Sequence, residues 1–268
     1  MGKTLKMLFL SLSLLLMGSC TKSCSKNTTP PEKKSVLRIG TNATFPPFET
    51  VNAKGQLEGF DIDLGRLIGQ RLNMEVQFRE MEFDALILGL QKEQIDIILS
   101  GLSITQSRLK EIIMVPYYGE PLKNLNLLFW KQVPPKSDTV DDIRAFATAK
   151  GQQISVQAGH FLEGFLKEIK MPLKTLSGPP EQILDLKYQK SLAAALDEKN
   201  AATLARDHAD LVRLTLPLPP ENWDMGQGVG IKKSRTELVS QIEAVITKMK
   251  EDGTMKSLEE KWLKGTGE

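Results

Sequence analysis

The spacing of apolar residues along this chain switches repeatedly between two periods. Val36-Leu37-Arg38-Ile39-Gly40 is rich in β-branched residues and stops at glycine, which predicts a strand. Pro46-Pro47 punctuates the loop that follows, and Ala53-Lys54-Gly55-Gln56 predicts a hairpin turn. Over 61–72, Ile62, Leu64, Leu67, Ile68 and Leu72 fall near one face of a helix, with Asp61 placed to cap it. A strand over 75–80, a helix over 83–92, a strand over 95–100 and a helix from 105 to 112 continue the alternation. Such alternation predicts an α/β fold of parallel βαβ units with helices on both faces.

Leu125-Asn126-Leu127-Leu128-Phe129-Trp130 is a long apolar strand that suits a crossover between two lobes. Helices are predicted over 140–149, 160–169 and 180–189, and strands over 154–157, 192–196 and 211–215. Pro217, Pro219 and Pro220 punctuate a second crossover. A strand over 228–231 precedes an amphipathic helix over 237–250, whose stripe is Leu238, Ile242, Val245, Ile246 and Met249 and which Gly253 ends. A short helix over 255–263 carries Leu258, Trp262 and Leu263, which anchor it on the first lobe. No sequence repeat relates the two halves.

The first 35 residues follow neither period. Lys3 and Lys6 precede the apolar run from Leu8 to Met17, and Gly18 and Ser19 follow it, which reads as an export signal over 1–19. The run is short for a membrane span, which needs roughly 20 apolar residues. It also lacks the polar face of a core helix. Residues 20–35 have no apolar periodicity and read as a flexible tether.

Composition narrows the chemistry. Lys and Arg total 35 against 33 Asp and Glu, a net charge of +2, so no basic footprint for nucleic acid exists. Both cysteines, Cys20 and Cys24, precede residue 36, which excludes a disulfide or a cysteine zinc cluster in the body. The two histidines, His160 and His208, support a metal site poorly, and no cofactor is expected. Three loops follow predicted strands, at the sheet edge where open α/β folds bind ligands: 41–49, 100–108 and 157–161. Asp197, just past the strand over 192–196, is a fourth candidate.

Gly59-Phe60-Asp61-Ile62-Asp63-Leu64, with Ile68 and Gly69 after it, resembles the signature of the polar-amino-acid family of type 2 solute-binding proteins. The resemblance extends over 36–263. It includes Ile39-Gly40-Thr41 before the Phe45-Pro46-Pro47-Phe48-Glu49 loop, Phe83-Asp84-Ala85-Leu86, the stretch from Leu102 to Arg108, Glu251-Asp252-Gly253-Thr254 and Lys261-Trp262. Within the family the chain looks most like arginine-binding lipoproteins. Leu16-Met17-Gly18-Ser19-Cys20 likewise resembles a bacterial lipobox, with Cys20 the lipidated residue; the other reading is a plain secretory cut nearby.

The resemblance implies two Rossmann-like lobes joined by two crossover segments, with lobe 1 over 36–121 and 223–268, lobe 2 over 122–222, and the ligand in the cleft. It implies that Arg108 grips an α-carboxylate, for which a planar guanidinium is suited. Ser103, with the backbone of Ser100 and Gly101, completes that site; a turn or cap hydroxyl is the other reading of Ser103. Gly159 implies backbone N–H groups at a helix start. Asp197 receives an α-ammonium, or else caps a helix before Glu198. Phe45 and Phe83 sandwich the ligand side chain, or else are core residues. Asn42 stands where many binders of basic amino acids have an acid, which leaves Glu49 as the nearest carboxylate. His160-Phe161 stands where relatives often have two threonines, and His160 either contacts ligand or leaves the backbone to bind. Asp61 and Asp63, two positions apart on a helix, do not face each other and read as cap and surface residues rather than an acid/base pair.

These readings predict an exported, lipid-anchored monomer that closes on one free amino acid: arginine first, then lysine, histidine or glutamine. It would deliver its ligand to the permease and ATPase subunits of an ABC importer. The rivals are an enzyme on the same fold, such as a cyclohexadienyl dehydratase-like protein, and an amino-acid sensor. No nucleophile–base pair favours the enzyme.

Overall fold

Strand β1 (Val36–Thr41) opens the fold and buries Leu37 and Ile39. The computed structural model describes residues 34–119 and 121–263; the export signal, Cys20 and nearly all of the tether lie outside the described residues. Strands β2 (Thr44–Phe45), β3 (Glu49–Val51) and β4 (Leu57–Glu58) form a small antiparallel sheet, with the anticipated hairpin turn between the last two. Helix α1 (Phe60–Arg71) leads to β5 (Glu75–Glu80). A 3₁₀ turn at Phe83–Ala85 runs into α2 (Leu86–Gln91), and β6 (Ile97–Ile98), α3 (Gln106–Glu111) and β7 (Ile113–Tyr118) follow.

The chain then passes to β8 (Asn124–Trp130), α4 (Val140–Lys150), β9 (Ile154–Gln157) and α5 (Phe161–Glu168). Next come β10 (Leu173–Leu176), α6 (Pro179–Lys187), β11 (Ala193–Leu196), α7 (Glu198–Asp207) and β12 (Leu211–Pro217). It returns through β13 (Gln227–Ile231) and ends in α8 (Thr236–Glu251) and α9 (Thr254–Trp262).

Two five-stranded sheets result, ordered β5-β1-β6-β13-β7 and β10-β9-β11-β8-β12. Each begins with three parallel strands, and its fourth strand runs antiparallel to both neighbours. The two antiparallel strands, β8 and β13, are the first that the chain lays down after crossing from the other sheet. A parallel neighbour needs a helical crossover on the same sheet; a chain arriving directly from elsewhere does not make one. Leu125–Trp130 is therefore not the crossover itself but an interior strand of the second sheet, with Leu125, Leu127, Leu128 and Phe129 buried.

Both faces of each sheet are covered. Helices α1, α8 and α9 bury Leu64, Ile68, Ile242, Ile246, Met249 and Leu258 on one face of the first sheet, and α2 seals the other with Leu86 and Leu90. On the second sheet, α4 and α5 cover one face with Ile143, Leu162 and Leu166, and α6 and α7 cover the other with Leu186 and Ala201. The stripe on α8 is buried as its periodicity predicts, and Gly253 follows it in the left-handed region at φ 80°.

Three elements escaped the periodicity argument. Strand β7 contains Pro116, which reads as a breaker yet is tolerated there. Strand β10 is only four residues long, and Leu-Lys-Thr-Leu does not alternate. Helix α7 carries few apolar residues because only one side of it touches the sheet. The strand expected over 95–100 narrows to Ile97–Ile98. Asp61 is not a cap: Gly59 occupies the N-cap position of α1 without a side-chain bond, and Asp61 is fully buried.

Candidate functional site

The carboxyl ends of β1, β6 and β9 bring the three predicted loops together around one pocket, with about 270 Å³ of atom-free space. From the first sheet and the small sheet beside it, Asn42, Phe45, Glu49, Phe83, Ser100, Gly101, Ser103 and Arg108 line it; from the second, Gln157, His160 and Phe161. Gln157 and Phe161 belong to the expected ligand loop 157–161, but neither was given a role of its own. The signal for Gln157 is a polar residue closing a buried strand at the ligand edge.

Arg108 owes its position to α3, where Thr105 caps the helix by accepting from the Arg108 N–H at 3.3 Å. Its guanidinium is buried and donates to the Ser103 carbonyl at 2.7 Å and to the Gly159 carbonyl at 2.8 Å. It lies 5.5 Å from the centre of the Phe83 ring. Burial lowers its pKa to about 10, against the raising field of Asp224, and it forms no salt bridge with the described residues. An arginine that spends two N–H groups on carbonyls of different sheets still has donors and a full charge for an anion.

Gly101 adopts φ +52°, and its N–H donates to Asp61 Oδ2 at 2.7 Å. A Cβ there would come within 2.8 Å of the Phe45 ring, so this close approach needs glycine. Phe45 itself packs on Phe48, with centroids 5.5 Å apart. Ser100 Oγ accepts from the Asn42 N–H at 2.9 Å and donates to Glu49 Oε1 at 3.1 Å.

The Asn42 side chain is committed to the protein. It donates to the Met81 carbonyl at 2.9 Å, and its oxygen accepts from Thr44 Oγ1 at 2.7 Å and Gln157 Nε2 at 3.0 Å. An amide oxygen has two lone pairs, so Asn42 ties the two walls together rather than offering an open acceptor.

Glu49 and Asp61 are both fully buried, and Asp61 Oδ2 also accepts from Tyr117 Oη at 2.8 Å. Burial raises both carboxyl groups above the ordinary carboxylate range, and the charge of Asp61 pushes Glu49 further up. Asp63, by contrast, is half-buried beside Lys261, Arg66 and the Trp262 indole.

On the second sheet, Gly159 sits at φ +77° before α5, with Asp84 of the opposite wall 3.0 Å from where a Cβ would stand. Its N–H is taken by Glu163 at 2.8 Å and its carbonyl by Arg108. Any free donors of that turn therefore come from the residues after it. His160 caps α5 by accepting from the Leu162 N–H at 3.3 Å, and burial with the Arg108 charge lowers its pKa to about 3. Asp197 is buried and caps α7: Oδ1 accepts from the N–H groups of Lys199 and Asn200 at 3.0 and 3.1 Å, and Oδ2 accepts from Asn200 Nδ2 at 2.9 Å. Its side chain is not part of the pocket lining, although its field reaches Glu49. No group of metal-ligating side chains gathers among the described residues.

The model of a family described as bacterial extracellular solute-binding proteins, family 3, matches residues 37–265. The chain is 34% identical over 244 residues to the probable ABC transporter arginine-binding protein ArtJ of Chlamydia trachomatis, covering 91% of each chain. It is 31% identical over 267 residues to the histidine-binding periplasmic protein of Salmonella typhimurium, covering 97% of each. Among solved structures, an ancestral arginine-binding protein bound to arginine superposes with a TM-score of 0.74 at 28% identity, over 86% of this chain and 99% of that one.

Proposed function

The chain belongs to family 3 of the bacterial extracellular solute-binding proteins, and from that membership we propose that it is the amino-acid receptor of an ABC importer. Its ligand is a polar or basic L-amino acid: arginine first, with lysine, histidine and glutamine behind it. The observation that carries this reading is Arg108, a buried guanidinium at the junction of two walls that forms no salt bridge with the described residues, Asp224 reaching it only through its field. A cation desolvated at that cost is best explained by an anionic ligand group.

In this reading Arg108 takes the α-carboxylate, with Ser103, Gly101 and the first turn of α5 around it. Asp197 receives the α-ammonium through the remaining lone pairs of its carboxylate. Phe45 and Phe83 flank the side chain, and Glu49 lies toward its far end. Lobe 1 is 36–121 with 223–268, and lobe 2 is 122–222. A ligand gripped by both lobes favours the closed arrangement by the difference in its affinity for the two states. Cys20 anchors the exported protein to a membrane through lipid, and the permease and ATPase subunits are the partners of the closed form.

A thermal-shift screen of the twenty amino acids, followed by calorimetry, tests the proposal. Stabilisation by arginine above all others is expected, because a ligand raises stability by mass action. No shift with any amino acid would overturn it. Palmitate labelling in the native host, lost in Cys20→Ser, tests the anchor.

A further inference from the structure

At the floor of the pocket, Glu49 Oε1 accepts from Ser100 Oγ and Asp61 Oδ2 accepts from the Gly101 N–H and Tyr117 Oη. The other oxygen of each, Glu49 Oε2 and Asp61 Oδ1, is buried and has no donor among the described residues. The two carboxyl groups are held by consecutive residues, Ser100 and Gly101, and the Asp61 N–H donates to the carbonyl of Phe48, next to Glu49, so the two groups adjoin. Two acceptors cannot satisfy each other, and two ionised carboxylates side by side in a buried site repel strongly. One proton held between Oε2 and Oδ1 resolves both problems. Glu49 lines the pocket, which puts the pair at its floor.

We infer that Glu49 and Asp61 form a proton-sharing pair that selects a cationic side chain by exchanging its proton for the ligand's charged N–H donors. The inference rests on the amino-acid-binding reading above and extends it to how the side chain is chosen. A guanidinium or ammonium brings both things the proton supplied, a donor and a positive charge, so the proton is lost to the solvent buffer. A neutral amide brings donors but no charge, and the proton stays.

The groups facing the pair are consistent with this exchange. Ser100, Gly101 and Tyr117 offer hydrogen bonds but no charge. Asp197, at the start of α7, adds a third negative field at Glu49. Arg108 and His160 line the same pocket, the first donating to Ser103 and Gly159 and the second held neutral by burial. Burial raises the pair itself, which keeps its proton in place toward neutral pH.

The test is calorimetry of the wild-type protein with arginine and with citrulline, its neutral isostere, near pH 7 in two buffers of different ionisation enthalpy. Release of close to one proton per arginine and none per citrulline is expected. Arginine affinity should also fall by about tenfold per pH unit on the acid side of the pair's titration, as one-proton linkage requires. Asp61→Asn sharpens the test. Its amide oxygen can accept from Gly101 and Tyr117 while its amide nitrogen donates to Glu49, so no proton is needed. Proton release should vanish and arginine affinity should lose its dependence on pH, outcomes that a purely structural role for Asp61 does not produce. Arginine binding with identical heats in both buffers would overturn the inference and leave the receptor function standing. Absence of binding by arginine and lysine alike would remove both.

Discussion

The two walls of the pocket meet the same space with different chemistry. The first sheet supplies side chains: a buried guanidinium at Arg108, two buried carboxyl groups at Glu49 and Asp61, and the rings of Phe45 and Phe83. The second sheet supplies chain turns: Gly159 and His160 at the start of α5, with Asp197 behind the lining at the start of α7. Groups on the first wall carry charge that the fold does not neutralise. Those on the second are mostly occupied in capping their own helices. In the proposed clamp, the first wall therefore chooses the ligand and the second responds to it, so substitutions should divide along the same line.

Arg108→Ala should have the largest effect, because an anionic ligand group would lose its charged partner in a buried site. A loss of roughly 2–5 kcal/mol, or about thirty- to several-thousandfold in arginine affinity, is expected by calorimetry. Retention of wild-type affinity would take Arg108 out of recognition. Asp197→Asn probes whether the second wall also contributes charge. Asparagine and aspartate serve almost equally as N-caps, so the melting temperature should hold. Affinity should nevertheless drop by about ten- to a hundredfold if the carboxylate receives an ammonium, a charged hydrogen bond being worth roughly 1.5–3 kcal/mol. Unchanged affinity would leave Asp197 as a cap alone.

Gly159→Ala should cost less, near tenfold in affinity. Its positive φ penalises a side chain by about 1–2 kcal/mol, and its Cβ would press on Asp84 of the other wall. Gly151→Ala is the matched control. It has a similar φ of +62° with nothing within 4 Å, so it should lower stability and leave affinity alone. If both variants bind arginine as the wild type does, the approach of Gly159 to Asp84 has no part in closure.

His160→Asn should have the smallest effect on binding, less than about threefold, since asparagine is also a good N-cap. Its signature lies in stability. The folded pKa of His160 is lowered, to about 3, so the unfolded chain takes up its proton first as pH falls. The wild type should therefore lose stability relative to the variant as pH drops below the ordinary histidine range, near 6.5. Denaturant midpoints at pH 7.5 and 5 measure this, and a constant difference between the two proteins would show that His160 is not held neutral.

How far the site could be read in advance depends on residue type. Gly101 lies in the loop after β6, Arg108 in the helix that follows it and Phe45 in the short strand after β1, and local order is enough to bring them to the sheet edge. Asn42 was expected near a ligand. Its bonds to Met81, Thr44 and Gln157 come from segments 2 to 115 residues away and fill both acceptor sites of its oxygen. Asp61 was misassigned for a similar reason. An aspartate opening a helix reads as a cap, but the Gly101 loop and Tyr117 on β7 turn it into a buried acceptor.

The sequence by itself determined the alternation of strands and helices, the buried stripe of α8, the loops that form the pocket and the family. Each of these is encoded by residues near one another in the chain, where backbone preference and apolar spacing act directly. Only the tertiary structure decided that β8 and β13 run antiparallel, that Asn42 joins the walls, and that Glu49 and Asp61 share one buried space. Those outcomes depend on which distant segments exclude water around a group. Burial sets the cost of a charge and the partners left to meet it, and spacing along the chain does not record it.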